Sequence, residues 1–157
     1  MSILLEVDDL KISARKDDDS LLPIVKGVSF KVARGEVVAL IGESGSGKTT
    51  IALSALGYTK PGLEFDGGEV RLEGEDVITM RSDHLRSLRG QRVAYLAQSA
   101  AATFNPALTI GEQVTESSVL HGILSKEQAH ERATVLYQAL ELPDPERLGR
   151  RYPHQVS

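Results

Sequence analysis

Apolar and polar positions fall along the chain in three patterns, each of which predicts a different kind of element. Ile3 to Val7 and Val28 to Val32 read as strands, and the polar run Asp17, Asp18, Asp19 and Ser20 between them reads as a loop. Val37, Val38, Ala39, Leu40 and Ile41 are continuously apolar, the pattern of a strand buried on both faces. Gly42, Gly45 and Gly47 follow, and Thr49 to Leu56 is then apolar on nearly every side, with Gly57 placed to end a helix. The order predicted is strand, glycine loop, buried helix. Gly67 and Gly68 lead into Glu69 to Glu73, and Gly74 with Glu75 precedes Val77 and Ile78, which predicts a short hairpin on an antiparallel portion. Arg92 to Ala97 reads as a second buried strand that ends at Gln98.

Beyond Gln98 the chain carries helix signals and no clear strand. Thr109 with Glu112, and Ser125 with Gln128, have the spacing of a capping box, in which the first side chain and the third residue satisfy each other's free backbone donors. Two helices should begin there. In the second, Ala129, Ala133, Leu136, Tyr137 and Leu140 fall on one face, and Pro143 should stop the helix after Leu142. The expected organisation is an α/β part over 1–98 and a helical part over 99–157. No internal repeat or low-complexity segment interrupts either part.

Composition narrows the function classes. A chain of 157 residues, 41% hydrophobic and 25% charged, has the make-up of a folded globular domain. The net charge of −4 gives no overall reason to bind a nucleic acid backbone or an anionic membrane, so any phosphate binding must be local. Aromatic content of 4% without Trp offers little to stack on bases, and the expectation is no nucleic acid partner. The absence of Cys excludes disulfides and thiolate metal sites. The start of the chain lacks a basic flank and meets Glu6, Asp8 and Asp9 too early for a secretory signal, and no apolar run approaches the roughly 20 residues of a spanning helix. A cytoplasmic location is expected, with any membrane role through a partner.

Candidate chemistry concentrates at Gly42, Glu43, Ser44, Gly45, Ser46, Gly47, Lys48 and Thr49, a full G-x-x-x-x-G-K-[ST] match between a predicted strand and a predicted helix. Glycines let the backbone curl so that successive N–H groups face phosphate oxygens, and the helix start adds to the same anion site. Lys48 would reach the β- and γ-phosphates, the Thr49 hydroxyl would bind Mg²⁺, and Thr50 would hydrogen-bond nearer the α-phosphate. A plain glycine-rich turn would need neither Lys nor Thr there. Gln98 closes its expected strand, where ligands of parallel sheets collect, and its amide oxygen could touch Mg²⁺ or position a water; the alternative is a polar residue that merely ends a strand.

Taken together, Gly42 to Thr50, Tyr95-Leu-Ala-Gln98 and Tyr152-Pro-His-Gln-Val-Ser157 resemble, in order, the Walker A motif, the Q-loop and the lead into the signature of the ATP-binding subunit of ABC transporters. The resemblance runs from Leu4 essentially to the last residue. Gln98 to Pro106, followed by Leu108 to Gln113, is similar to the subgroup that serves peptide, nickel and related importers, and Gly27-Val-Ser-Phe30 fits it too. It implies a P-loop NTPase core of the ABC type, α/β with an antiparallel portion and a helical subdomain, truncated before the remaining parallel strands. It also implies ATP and Mg²⁺ as cofactors, with Lys48 and Gln98 in catalysis, Thr49 and Gln98 at the metal, and Ser157 opening the signature. The partners implied are membrane permease subunits, a second ATP-binding subunit, alike or related, and indirectly a solute-binding protein. The chain would then sit on the inner face of the cell membrane.

Two departures from the family pattern qualify what carries over. An aromatic residue upstream of Walker A usually stacks on adenine, whereas Ser13 and Ala14 stand there, so packing would be weaker or supplied by a side chain such as Val25. The rest of the signature, a second acidic strand, a catalytic Glu and a switch His would follow Ser157. His84, His121, His130 and His154 all precede that place, and His154 reads as an exposed polar residue near a helix start. These residues are therefore expected to bind nucleotide without turnover, as the amino-terminal part of an importer ATPase. The rival readings are a non-transport ABC ATPase, an inactive nucleotide-binding remnant, or a small P-loop kinase or GTPase, which the stretch ending in Tyr152 to Ser157 argues against.

Overall fold

A computed structural model describes residues 2–99 and 103–156. The chain divides into two compact units, with the division between Tyr95 and Leu96.

The first unit is built on an antiparallel sheet in the order β2-β1-β3-β4, formed by β1 (Ile3–Arg15), β2 (Leu21–Ala33), β3 (Leu63–Leu72) and β4 (Glu75–Asp76). The Asp17 to Ser20 segment turns β1 into β2, with Asp18 accepting from the Ser20 hydroxyl and backbone N–H. β1 is far longer than its apolar start at Ile3 to Val7, because a bulge re-phases it. The register shifts against both neighbours, β2 and β3, between Val7 and Lys11, and Asp9 adopts φ 44. Strict alternation would place Leu10 opposite Val7; the bulge brings Val7, Leu10 and Ile12 to one buried face instead. Gly67 and Gly68 lie inside β3 rather than before a strand, and at Gly68 a Cβ would fall 2.3 Å from the Asp9 carbonyl oxygen. Only glycine permits so close an approach to the bulge. The hairpin expected at Gly74 forms, with Glu73 and Gly74 both at positive φ in the two-residue turn that suits the strand twist.

Two short helices complete this unit, α1 (Lys48–Ser54) and α2 (Ser82–Leu88). Ile51 of α1 and Leu88 of α2 join Val7, Leu10, Ile12, Val25, Val70, Leu72 and Val77 in one apolar core. The periodicity did not predict α2, whose seven residues bury only Leu88.

The two expected parallel strands do not form. Among the described residues Val37 to Ile41 has no strand partner, and Val37 and Ile41 are 94% and 93% exposed. Arg92 to Ala97 contributes one isolated bridge, Arg89 to Val93, and Leu96 is 95% exposed. The apolar runs are those of interior strands, but such a strand forms only when neighbours on each side take up its N–H and C=O groups. None of the four strands of this sheet pairs with either run.

The second unit is helical, with α3 (Ile110–Leu120), α4 (Lys126–Ala139) and α5 (Pro145–Leu148), then a 3₁₀ turn over Pro153–Gln155. Both expected capping boxes are present. Thr109 Oγ1 accepts from the Glu112 N–H at 3.3 Å while Glu112 accepts from the Thr109 N–H at 2.8 Å. Ser125 and Gln128 exchange the same pair at 3.2 and 2.9 Å. Ala129, Ala133 and Tyr137 form the buried strip of α4, and Ile110, Ala133, Tyr137 and Leu148 make a small core with Phe104 against it. Leu136 and Leu140 are not on that strip; they are 46% and 68% exposed. Residues four apart already fill the narrow face that this small unit can cover. The helix also ends at Ala139, before Leu142, with Glu141 at φ 54.

Candidate functional site

The glycine loop enters α1 as expected. Gly45 and Gly47 take φ 84 and 88, conformations that suit glycine, and Ser46 N–H donates to the Glu43 carbonyl at 3.2 Å to close a turn. Lys48 is the first residue of α1, and its ammonium folds back onto the loop: Nζ donates to the carbonyls of Gly42 at 2.8 Å and Glu43 at 2.7 Å and lies 3.5 Å from Ser46 Oγ. The lysine head is thus held over the loop that precedes it, where the motif needs a positive charge beside phosphate. The loop rests on β2, since a Cβ on Gly47 would lie 3.5 Å from Val25 Cγ2 and 3.7 Å from the Ile24 carbonyl oxygen.

Thr49 and Thr50, adjacent in the motif, differ in exposure. Thr49 is exposed in the first turn of α1, and Thr50 is buried against the core. A solvent-facing hydroxyl is a hard oxygen donor of the kind Mg²⁺ accepts beside its own waters, so the residues present fit the ion. Among the described residues, no group of three or more His, Asp or Glu side chains forms a separate metal site.

Other expected site residues are placed differently. Gln98 is exposed in a bend and does not end a strand, because the Arg92 to Ala97 strand is absent. Ser157 lies outside the described residues. Ser13 is 1% exposed, with its hydroxyl donating to Asp66 Oδ2 at 2.7 Å, so it lies within the sheet rather than on a base-facing surface. Val25 is 4% exposed and spends its side chain on the core and on Gly47. Neither residue offers a free face to a base. His154 is exposed, as read from the sequence, and its ring stacks on Tyr152 with centroids 5.8 Å apart.

No motif or periodicity singles out Arg89, which follows α2. Its Nε donates to the Leu56 carbonyl at 2.8 Å and its Nη2 to the Gly57 carbonyl at 3.0 Å, both just past the end of α1. Only the tertiary path brings the residues after α2 beside that end.

Residues 25–157, which contain the whole of this loop, match the ABC transporter family profile. The chain belongs to the ABC transporter family. Among curated relatives of this ABC chain, the oligopeptide transport ATP-binding protein AppD of Bacillus subtilis is 37% identical over 158 residues, covering 100% of the chain and 48% of the relative. The oligopeptide transport ATP-binding protein OppD of the same organism is 36% identical over 156 residues, covering 98% and 43%. The chain spans about half the length of these relatives. Among solved structures, a dimeric bacterial ABC transporter cassette superposes with a TM-score of 0.80 at 22% identity, over 98% of this chain and 63% of that one. The ABC cassette fold is therefore shared; its α/β first unit and helical second unit are those described above.

Proposed function

We propose that this ABC chain binds ATP through Gly42 to Thr50 and is the nucleotide-binding part of an ATPase that drives import of peptides or a related small solute. The observation that carries the reading is Lys48, poised at the head of α1 over the Gly42 and Glu43 carbonyls at 2.8 and 2.7 Å within a complete phosphate-loop motif. The AppD and OppD relatives are named as oligopeptide transport ATP-binding proteins, which supports the transport assignment. In this reading the nucleotide-binding core is 1–98 and the helical subdomain is 99–157.

Phosphoryl transfer is served mainly by positioning and by charge opposite the phosphate oxygens. The loop N–H groups of 43–47 and Lys48 hold and polarise the phosphates, and the buried Thr50 anchors the start of α1 beneath them. Thr49 would hold Mg²⁺, which supplies charge neutralisation at the β- and γ-phosphates. Gln98 would touch Mg²⁺ or the attacking water, and Ser157 would begin the signature that meets a nucleotide across a dimer. The protein would pair with a second ATP-binding subunit, alike or related, and act on permease subunits at the inner face of the membrane, with a solute-binding protein upstream. No helix among the described residues is long and apolar enough to cross a membrane.

The test is equilibrium binding of Mg·ATP to the unsubstituted protein and to Lys48→Ala. Loss of hydrogen bonds to a charged donor costs about 1.5–3 kcal/mol, which is roughly a tenfold to hundredfold weaker affinity. Equal affinity in the two proteins would remove the assignment of the loop.

A further inference from the structure

We propose that Arg89 is a positioning residue for the phosphate loop, holding α1 by its carboxyl-terminal end so that Lys48 keeps its angle to bound phosphates. The inference rests on the nucleotide-binding reading above and concerns a residue that touches no phosphate.

The last turn of α1 closes on itself, the Ala52, Leu53 and Ser54 carbonyls accepting from the N–H groups of Ala55, Leu56 and Gly57. Just past α1 the backbone turns at Gly57, and Arg89 meets two successive carbonyls there, Leu56 through Nε and Gly57 through Nη2, at 2.8 and 3.0 Å. Two donors on one rigid guanidinium fix direction as well as distance, which a single ammonium donor would not. The positive charge also complements the negative end of the helix. Arg89 is half-buried, and it directly follows Leu88, which is anchored in the core.

The opposite side of the same turn is closed by packing. Gly57 sits at φ 60, and a Cβ there would fall 2.4 Å from the Val77 carbonyl oxygen and 3.0 Å from Leu85 Cδ1. Ser54, fully buried, donates its hydroxyl to the Ile51 carbonyl at 2.6 Å. The end of α1 is therefore seated between Val77 and α2, with Arg89 as its polar lock.

The lever is short. α1 has seven residues, with Lys48 as the first. At 1.5 Å per residue it is a rod of about 10 Å, so a tilt of about 10° at the locked end moves the Lys48 end by roughly 2 Å. Displacements of about 1 Å in a positioned group can cost a hundredfold in function. Losing the lock admits such tilts and lowers the fraction of molecules whose loop is competent, and apparent affinity falls with that fraction.

The discriminating readout is the ratio of ATP to AMP affinity, measured on the intact protein by displacement of a fluorescent ATP analogue. A misdirected Lys48 forfeits the β- and γ-phosphate contribution that AMP never receives, whereas general loosening of the fold weakens both ligands alike. For Arg89→Ala the expected result is ATP affinity about tenfold weaker with AMP affinity little changed, so that the ratio falls about tenfold. An unchanged ratio overturns the proposal. If Arg89→Ala fails to give a cooperative melt, Arg89→Gln, which drops the charge and one of the two donors, is read by the same criterion. Absence of Lys48-dependent ATP binding in the unsubstituted protein would remove the nucleotide-binding reading and this proposal with it; normal binding with an unchanged ratio removes the proposal alone.

Discussion

Replacing Gly111 by Ala tests how the helical unit is closed. The start of α3 is tied to the chain after α5 by Ile110 N–H to the Arg151 carbonyl at 2.8 Å and Gly111 N–H to the Gly149 carbonyl at 2.9 Å. A Cβ on Gly111 would lie 2.7 Å from that Gly149 oxygen and 3.1 Å from Gly149 Cα. Carbon contacts are comfortable at about 3.5–4.0 Å, so the two backbones must separate by roughly 1 Å. The obstacle is backbone and cannot swing aside as a flexible side chain would. That movement breaks the hydrogen bond, worth about 0.5–1.5 kcal/mol net, and disturbs the packing of Ile110 on Leu148, where overpacking costs about 1–3 kcal/mol. The intrinsic preference of Ala over Gly in a helix returns at most about 1 kcal/mol. The net expectation is a loss of about 1–3 kcal/mol in the helical unit. The assay is amide hydrogen exchange across α3 to α5, with Gly149→Ala as its pair. At Gly149 the new Cβ would meet Gly111 Cα at 3.6 Å and Tyr137 Cε2 at 3.8 Å, ordinary contacts, so protection should change little. If Gly111→Ala raised protection, as helix preference alone would, or if the two variants behaved alike, the reasoning from the close approach would fail.

Four further outcomes are expected. Thr109→Ala removes the cap of α3 and should lower stability by about 0.5–2 kcal/mol. Because the Thr109 N–H and hydroxyl hold the Glu112 carboxyl below its usual value, its stabilising contribution is complete above the ordinary glutamate range and lost as pH falls through the lowered value; α3 protection that is insensitive to acid would contradict this. Ser13→Phe, placing a ring where the resemblance expects one against adenine, should destabilise by about 1–3 kcal/mol because the site is filled, and tighter ATP binding with an unchanged melt would show the opposite. Val37→Asp with Ile41→Ser should reduce self-association of the isolated chain in sedimentation, since these side chains are 94% and 93% exposed; an unchanged association state would mean that the apolar run is not what holds copies together.

What could be read from the sequence was what neighbouring residues decide among themselves. The capping boxes at Thr109 and Ser125 need only residues three apart, and both formed. The turn at Glu73 and Gly74 and the loop before Lys48 are likewise local, being set by glycine and by short spacings. What could not be read depended on partners distant in sequence. Val37 to Ile41 and Arg92 to Ala97 have strand composition, but a strand exists through its ladder, and no strand pairs with either run here. The extension of β1 to Arg15 depends on a bulge at Asp9 that the β2 residue Ser29 helps hold, through an Asp9 N–H to Ser29 Oγ bond of 2.8 Å. Leu136 and Leu140 follow the helical period of the buried strip, yet the unit is too small to cover them.

The candidate site divides along the same line. Its chemical groups, Lys48 and Thr49 in a glycine loop, are contiguous and therefore visible as a motif. The orientation of those groups is not contiguous information. It is set by β2 behind Gly47 and by Arg89, which lies 41 positions after Lys48 in the chain and takes hold of the far end of the same helix. A motif can therefore be complete while its aim is controlled by residues that carry no motif. Changes at such residues should weaken ATP binding while leaving AMP binding little changed, the signature also expected when Lys48 itself is removed.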